Sequence, residues 1–327
     1  MGRYIVRRVL FLILVLIVVS FVTFLIFVKL PASDPAHRAI GRTATPETIR
    51  AIRKTLGLDK PWYVQYWKFA KGIIPWPGLF LGDVKQHGVY FSWNTYTSVR
   101  EDIFKRLPVT MMLGMGAAVV WMLVGIPIGI LSAIRRRSLA DRSAMIFAIL
   151  GVSLPIFWLA YVFLYIFWFR LGWLPGSGLP RGLSVIQAAL TGHFILPWIV
   201  LSLAFMAFYA RMTRGNLIET MSEDFIRTAR AKGLSERRVI FRHGLRSALT
   251  PVVTMFGMDL GVLLGGAVIT ETVFDLDGIG RYLIQALQAN DFPAVMGVVM
   301  FASFFIVVAN LVVDVAYAFL DPRVRYT

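Results

Sequence analysis

Apolar residues in this chain run together in long stretches instead of alternating or recurring once per helical turn. Six stretches are nearly free of charge and long enough to cross about 30 Å of hydrocarbon, which takes roughly 20 residues of helix. They are Val9–Val28, Pro108–Ile134, Ala144–Phe169, Phe194–Ala210, Thr250–Thr270 and Ala294–Leu320. The pattern predicts an all-α polytopic membrane protein with six transmembrane helices. Arg3, Arg7 and Arg8 precede the first run, as they would in a signal peptide. The run exceeds a usual signal core, however, and Lys29-Leu30-Pro31 makes a poor cleavage site, so a retained span is the expectation.

The segments between the runs set the orientation. With the N-terminus inside, residues 1–8, 135–143, 211–246 and 321–327 carry eighteen Lys and Arg. The short outside loops, 170–193 and 271–293, carry only Arg170, Arg181 and Arg281. Such a bias places both termini in the cytoplasm. The chain then divides into residues 1–28, a tail and first span, and 29–107, a long extracytoplasmic segment with short interfacial helices. Residues 108–327 form a five-span core that carries a cytoplasmic loop at 211–246.

Composition agrees. The chain is 57% hydrophobic and 16% charged, against about 25% charged for a soluble domain. Absence of cysteine excludes disulfides and thiol chemistry, and four scattered histidines offer no metal-binding pattern. The net charge of +16 reads as membrane orientation and not as nucleic-acid binding.

Within 29–107, Thr45-Pro46-Glu47 is a helix start and Gly57 a stop. Trp62, Tyr63, Tyr66, Trp67 and Phe69, interleaved with Lys60, Lys68 and Lys71, suit lipid headgroups better than single-stranded nucleic acid. Ile74–Asn94 reads as an ordered loop without regular secondary structure. In the last outside loop Glu271, Asp275, Asp277 and Asp291 face the lone Arg281. Gly278 and Gly280 allow a tight turn before a short helix, Arg281–Ala289. This is either a solvated connector or a structured element at the mouth of a pathway, touching a delivered substrate or its carrier.

The loop 211–246 carries the most information. Gly233 suits a left-handed helix terminus, and Ser235 suits the cap of a second short helix beginning at Glu236. Leu234, Val239, Ile240 and Phe241 are then available for packing against a partner. A DNA-reading helix–turn–helix is disfavoured, because membrane spans tie both ends within a few residues. A merely solvated basic loop leaves the two helices unexplained, so a protein-docking element is the better reading.

Arg227-Thr228-Ala229, then Gly233, resembles the Glu-Ala-Ala-three residues-Gly coupling loop of ABC-importer permeases, with Arg and Thr in the first two places. His243-Gly244-Leu245-Arg246 stands where Ile-x-Leu-Pro is usual, and proline comes later, at Pro251. The run from Arg227 to Leu234, with Arg242-His243 and Pro251-Val252-Val253-Thr254, is similar to the first permease of dipeptide and oligopeptide (peptide/nickel) importers. So are Leu56–Pro61, Gly125–Gly129, Pro155–Trp158, Thr270–Phe274, Gly278–Arg281 and Asp321–Arg325. Pro31-Ala32-Ser33-Asp34-Pro35 departs from the family's Pro-Gly-Asp-Pro, and Gly72–Ser98 is longer than in typical members.

The resemblance implies a type-I ABC-importer permease of a prokaryotic plasma (inner) membrane. It implies a peptide substrate, a second homologous permease, two ATPase subunits or domains and an extracytoplasmic substrate-binding protein. Membrane lipid surrounds the chain, and no nucleic acid is a partner. The coupling residues would be Arg227, Thr228, Ala229, Gly233, Leu234, Ser235, Glu236, Arg237, Val239 and Phe241. This chain has no Gly-x-x-x-x-Gly-Lys-Ser/Thr loop. It is thus expected to be no enzyme and to bind no cofactor, with ATP and Mg on the partner ATPases.

Two acidic residues lie within spans, Asp259 and Asp314, where a carboxylate faces protein or water. Asn310 shares a helical face with Asp314, and the two read mainly as structural partners beside the translocation path. Asp259 is the better candidate for lining that path. The rival function is a secondary transporter or channel independent of ATPases; no internal repeat or carboxylate relay favours it. A membrane receptor or assembly factor would not need the paired cytoplasmic helices.

Overall fold

The computed structural model describes residues 2–29, 45–71 and 91–320, which are helical throughout apart from turns and one isolated bridge between Phe91 and Ser98. The Pro31–Pro35 motif, most of Gly72–Ser98 and the Asp321–Arg325 motif lie outside these residues. In order the helices are α1 (Gly2–Phe24, with a π turn over Leu25–Lys29), α2 (Pro46–Leu56), α3 (Trp62–Lys71) and α4 (Val99–Ile134). Next come α5 (Leu139–Ser153), α6 (Ile156–Arg170), α7 (Val185–Leu190) and α8 (Ile195–Thr220). The chain continues through α9 (Asp224–Ala231), α10 (Glu236–Ala248), α11 (Thr250–Leu264), α12 (Val268–Val273), α13 (Ile279–Gln288) and α14 (Phe292–Leu320).

Among the described residues, four helices are continuous and apolar enough to cross a membrane: those at Val6–Val28, Val99–Ile134, Ile195–Thr220 and Phe292–Val315. Two bent pairs pass the same test only when their helices are taken together, α5 with α6 at 101° and α10 with α11 at 44°. Counting each pair once gives the expected six. The straight span expected at Ala144–Phe169 is therefore two helices. Pro155 lacks an N–H and forces Leu154 into an extended conformation (ψ 131°), which ends α5. The span expected at Thr250–Thr270 stops at Leu264, and Thr270 lies in α12.

Two spans are longer than their apolar runs. At 1.5 Å per residue, the 36 residues of α4 extend about 54 Å, well beyond the hydrocarbon. Pro108 sits inside α4 instead of starting it, and α8 continues through Thr220 into the segment expected as loop.

The core is built by close backbone approach. α4 runs along α8, and a β-carbon on Gly129 would lie 2.6 Å from the Ala210 carbonyl oxygen. Gly257, Gly261 and Gly265 recur every four residues along α11 and face Val313, Ala309 and Ala302 of α14. Lipid supplies no hydrophobic force between helices, so small residues that admit close packing do that work. Ser132, Arg137 and Arg214 converge on Asp141: Arg214 gives two bonds (2.7 and 2.9 Å), and the Arg137 N–H adds one at 2.8 Å. This tie joins α4, α5 and α8 at one end of the bundle. At the other end Trp62, Tyr63 and Trp67 of α3 are exposed, while Tyr66 bonds Ser20 of α1 at 2.9 Å.

Candidate functional site

Helix α9 buries Ile226 and Ala229 against Val239 of α10, with Met221 and Leu234 closing a small apolar core of their own. The turn between the helices is a Schellman motif: the Leu234 N–H reaches the Ala229 carbonyl and the Gly233 N–H that of Arg230. Gly233 has φ +73°, the left-handed region that a branched side chain adopts only at a cost. Arg230 clamps Glu236 with two bonds of 3.1 and 2.7 Å across the turn.

This geometry sorts the coupling residues. Ala229 and Val239 are internal core, so Val239 does not reach a partner as expected, while Leu234 packs beside them and is only partly buried. Ser235 has the extended backbone of a cap but makes no cap bond through its side chain. The second helix is not a short isolated one, because α10 runs on to Ala248 and then bends into α11. Facing outward are Arg227, Thr228, Arg237 and Phe241. Phe225, 45% exposed, joins Phe241, 53% exposed, in offering apolar area. The sequence reading missed Phe225. The Phe225-Ile226 doublet was the signal: on a helix one member turns inward and the other outward.

The acidic segment 271–291 is organised differently. Glu271 of α12 is wholly buried. Thr110 donates to its Oε1 at 2.9 Å, the Ala267 N–H to Oε1 at 3.2 Å, and the Arg281 N–H to Oε2 at 2.9 Å. Burial pushes its carboxyl above the ordinary glutamate range, and the backbone donors pull it partly back. Gly278 and Gly280 are required by close approach, since a β-carbon on Gly280 would lie 2.8 Å from the Val268 nitrogen. Glu271 is therefore a pin between α4, α12 and α13 and not a surface for a carrier.

The other acids do not share Arg281. Arg281 pairs with Asp275 at 2.5 Å. Asp277 meets Arg106 of α4 at 2.9 Å, and Arg106 also bonds Asp102 at 3.0 Å while lying 4.4 Å from the Tyr282 ring centre. Asp291 is buried among Ser92 and the N–H groups of Trp93 and Asn94. The short helix falls where expected, over Ile279–Gln288.

Within the spans, Asp314 forms an ion pair with Arg8 of α1 at 3.0 Å. Its partner is thus a neighbouring helix and not Asn310. Asp259 is half-buried and accepts from the Tyr209 hydroxyl at 2.6 Å. Tyr209 belongs to a ring cluster with Trp121, which stacks on Phe205 at 4.5 Å.

Several helices long and apolar enough to cross a membrane, with a compact helical element at one end, define an integral-membrane protein. Sequence comparison gives the family. A model described as binding-protein-dependent transport system inner membrane component matches residues 125–326, and the N-terminal model of the same group matches 1–114. The chain belongs to this family and is a permease subunit of a transport system, not an enzyme. It is 40% identical over 326 residues to a putative peptide transport system permease of Brucella abortus, covering 100% of both chains. It is 38% identical over 346 residues to a dipeptide transport system permease of Alkalihalophilus pseudofirmus, again covering 100% of both. A glutathione transport system permease of Escherichia coli is 36% identical over 326 residues, with 100% of both chains covered. Systems of this family work with an ATPase and a solute-binding protein.

Proposed function

We propose that this chain is one of two related membrane halves of an ATP-driven importer of dipeptides and short oligopeptides. The observation that carries the reading is the self-contained α9–Gly233–α10 element, whose Phe225 and Phe241 lie exposed beside Arg227 and Arg237. Full-length similarity to dipeptide, peptide and glutathione permeases supports the substrate class. In this reading both termini and the α9–α10 element are cytoplasmic, and the element docks on one of two ATPase subunits. A second, homologous permease completes the path, and ATP and Mg stay on the ATPases. Closure of the ATPases moves α9–α10. Because α10 is continuous with α11 through a 44° bend, that movement reaches a span directly and switches the path between inward- and outward-open states.

The test is uptake by the reconstituted complex in vesicles. Labelled dipeptide should accumulate only with ATP, the ATPases and the binding protein present. Uptake that persists without the ATPases and follows an ion gradient would replace this reading with a secondary transporter.

A further inference from the structure

The aspartates on the long helices differ in their partners. Asp102, Asp141 and Asp314 each meet an arginine, namely Arg106, Arg214 and Arg8. Asp259 meets only a neutral phenol, and its Oδ1 has no partner among the described residues. From Thr250 to Gly266 the chain holds no cationic residue. A carboxylate at hydrocarbon depth is costly and so faces water or a counter-charge.

The packing of α11 places Asp259. One face, Gly257–Gly261–Gly265, lies on α14. Pro251, Met258 and Val262 recur at i, i+7 and i+11 on a separate stripe that is open: Met258 is 39% and Val262 56% exposed. Asp259 stands at the margin of that stripe. Tyr209 is itself fully buried, so its hydroxyl reaches the carboxylate from the core and fixes it in place.

We infer that Asp259, held by Tyr209, is the point on the translocation path that receives the protonated amine of the travelling solute. The inference rests on the transport reading above. The donor count favours an ammonium. A metal ion would need more oxygen ligands, and no group of three His, Asp or Glu among the described residues could hold one. A guanidinium binds best across both carboxylate oxygens, and Tyr209 occupies Oδ2. An ammonium needs one free oxygen, and Oδ1 supplies it.

This chain has no cysteine, so Met258→Cys gives it one reporter beside Asp259, read on this subunit after separation from its partners. In the assembled complex in membranes, its modification rate is measured with trimethylammonium-ethyl and sulfonatoethyl methanethiosulfonates. The cationic reagent should react faster, and Asp259→Asn should cut the cation-to-anion rate ratio about tenfold, as one charge about 5 Å away in a wet path dictates. An unchanged ratio, or a thiol that neither reagent reaches in any nucleotide state, overturns the inference. The second measurement is uptake of a dipeptide and of its N-acetylated twin. The parent should prefer the free amine. Asp259→Asn should abolish that preference and Asp259→Glu restore part of it, whereas equal loss of both substrates in Asp259→Asn would make the residue structural. If the parent imports neither peptide, the peptide reading fails, and the labelling ratio still decides the role of the carboxylate.

Discussion

At the end of the bundle that holds α12 and α13, a carboxylate and two glycines are locked into one solid. Glu271 is buried on backbone and hydroxyl donors, and Gly280 touches α12. At the other end, α9 and α10 fold around an apolar core of a few side chains, with a surface ion pair and one left-handed glycine. The Glu271 assembly ties the neighbouring helices α12 and α13 to α4, which is remote in sequence. The α9–α10 element joins residues close together along the chain and is tied to the bundle through the far end of α10, where Asn216 of α8 donates to the Ala248 carbonyl at 3.3 Å and the helix bends into α11. A rigid frame at one end and a small helical lever at the other are what a transporter needs if one end is to be pulled while the other keeps its shape.

The sharpest way to break this contrast is Glu271→Ala. It leaves the Ala267 and Arg281 N–H groups buried without acceptors, at about 1–3 kcal/mol each. Thermal unfolding of the purified complex and its accumulation in membranes should both fall steeply. Glu271→Gln keeps one acceptor oxygen, although its NH2 cannot accept from the remaining N–H, and should lose less than Glu271→Ala. If Glu271→Ala accumulates normally and unfolds at the parent temperature, the Glu271 end is not the rigid partner in the comparison.

How much of each end the sequence revealed follows from how local its interactions are. Gly233 and the α9–α10 pair were readable because a Schellman turn is set by residues within six positions. The Glu271 pin was not, because Thr110 lies 161 residues away. The extension of α8 was hidden for a related reason. Arg211 and Arg214 looked like the end of a span, yet Asp141, from another helix, neutralises Arg214 and the helix runs on. Pro155 is a different case. Its signal was in the sequence, since a Leu-Pro step inside an apolar run favours a break, but the length of the run outweighed it.

Gly233→Val is the second test. A branched residue in the left-handed region costs about 1–2 kcal/mol, and no atom lies within 4 Å of an added β-carbon, so the strain stays in the turn. Unfolding temperature should barely change, while ATP-driven uptake falls and ATP hydrolysis continues without transport. Parent-like uptake would mean that the turn does not carry motion. A milder probe follows in Phe225→Ala with Phe241→Ala, which removes exposed apolar area and leaves the inner core of Ile226, Ala229 and Val239 intact. ATPase retention on copurification should weaken roughly tenfold, as for loss of an interface anchor. Undiminished retention would place the docking surface elsewhere.

The smallest expected effect is that of Asp277→Asn. Asp277 is the exposed partner of Arg106, with 54% of its side chain open to solvent, and Arg106 keeps Asp102 when Asp277 is neutralised. An ion pair of that exposure contributes under about 1 kcal/mol. Folding of this end should therefore be indifferent to the change, in contrast to Glu271→Ala a few residues away. That indifference makes Asp277 a clean reporter of contact: any fall in uptake cannot be charged to the frame. If this face meets the solute-binding protein, Asp277→Asn lowers the rate at subsaturating binding protein and leaves the saturated rate unchanged, a difference that salt diminishes. Uptake identical to the parent across that titration would make Asp277 a plain connector. This end of the bundle would then owe its character to Glu271 alone.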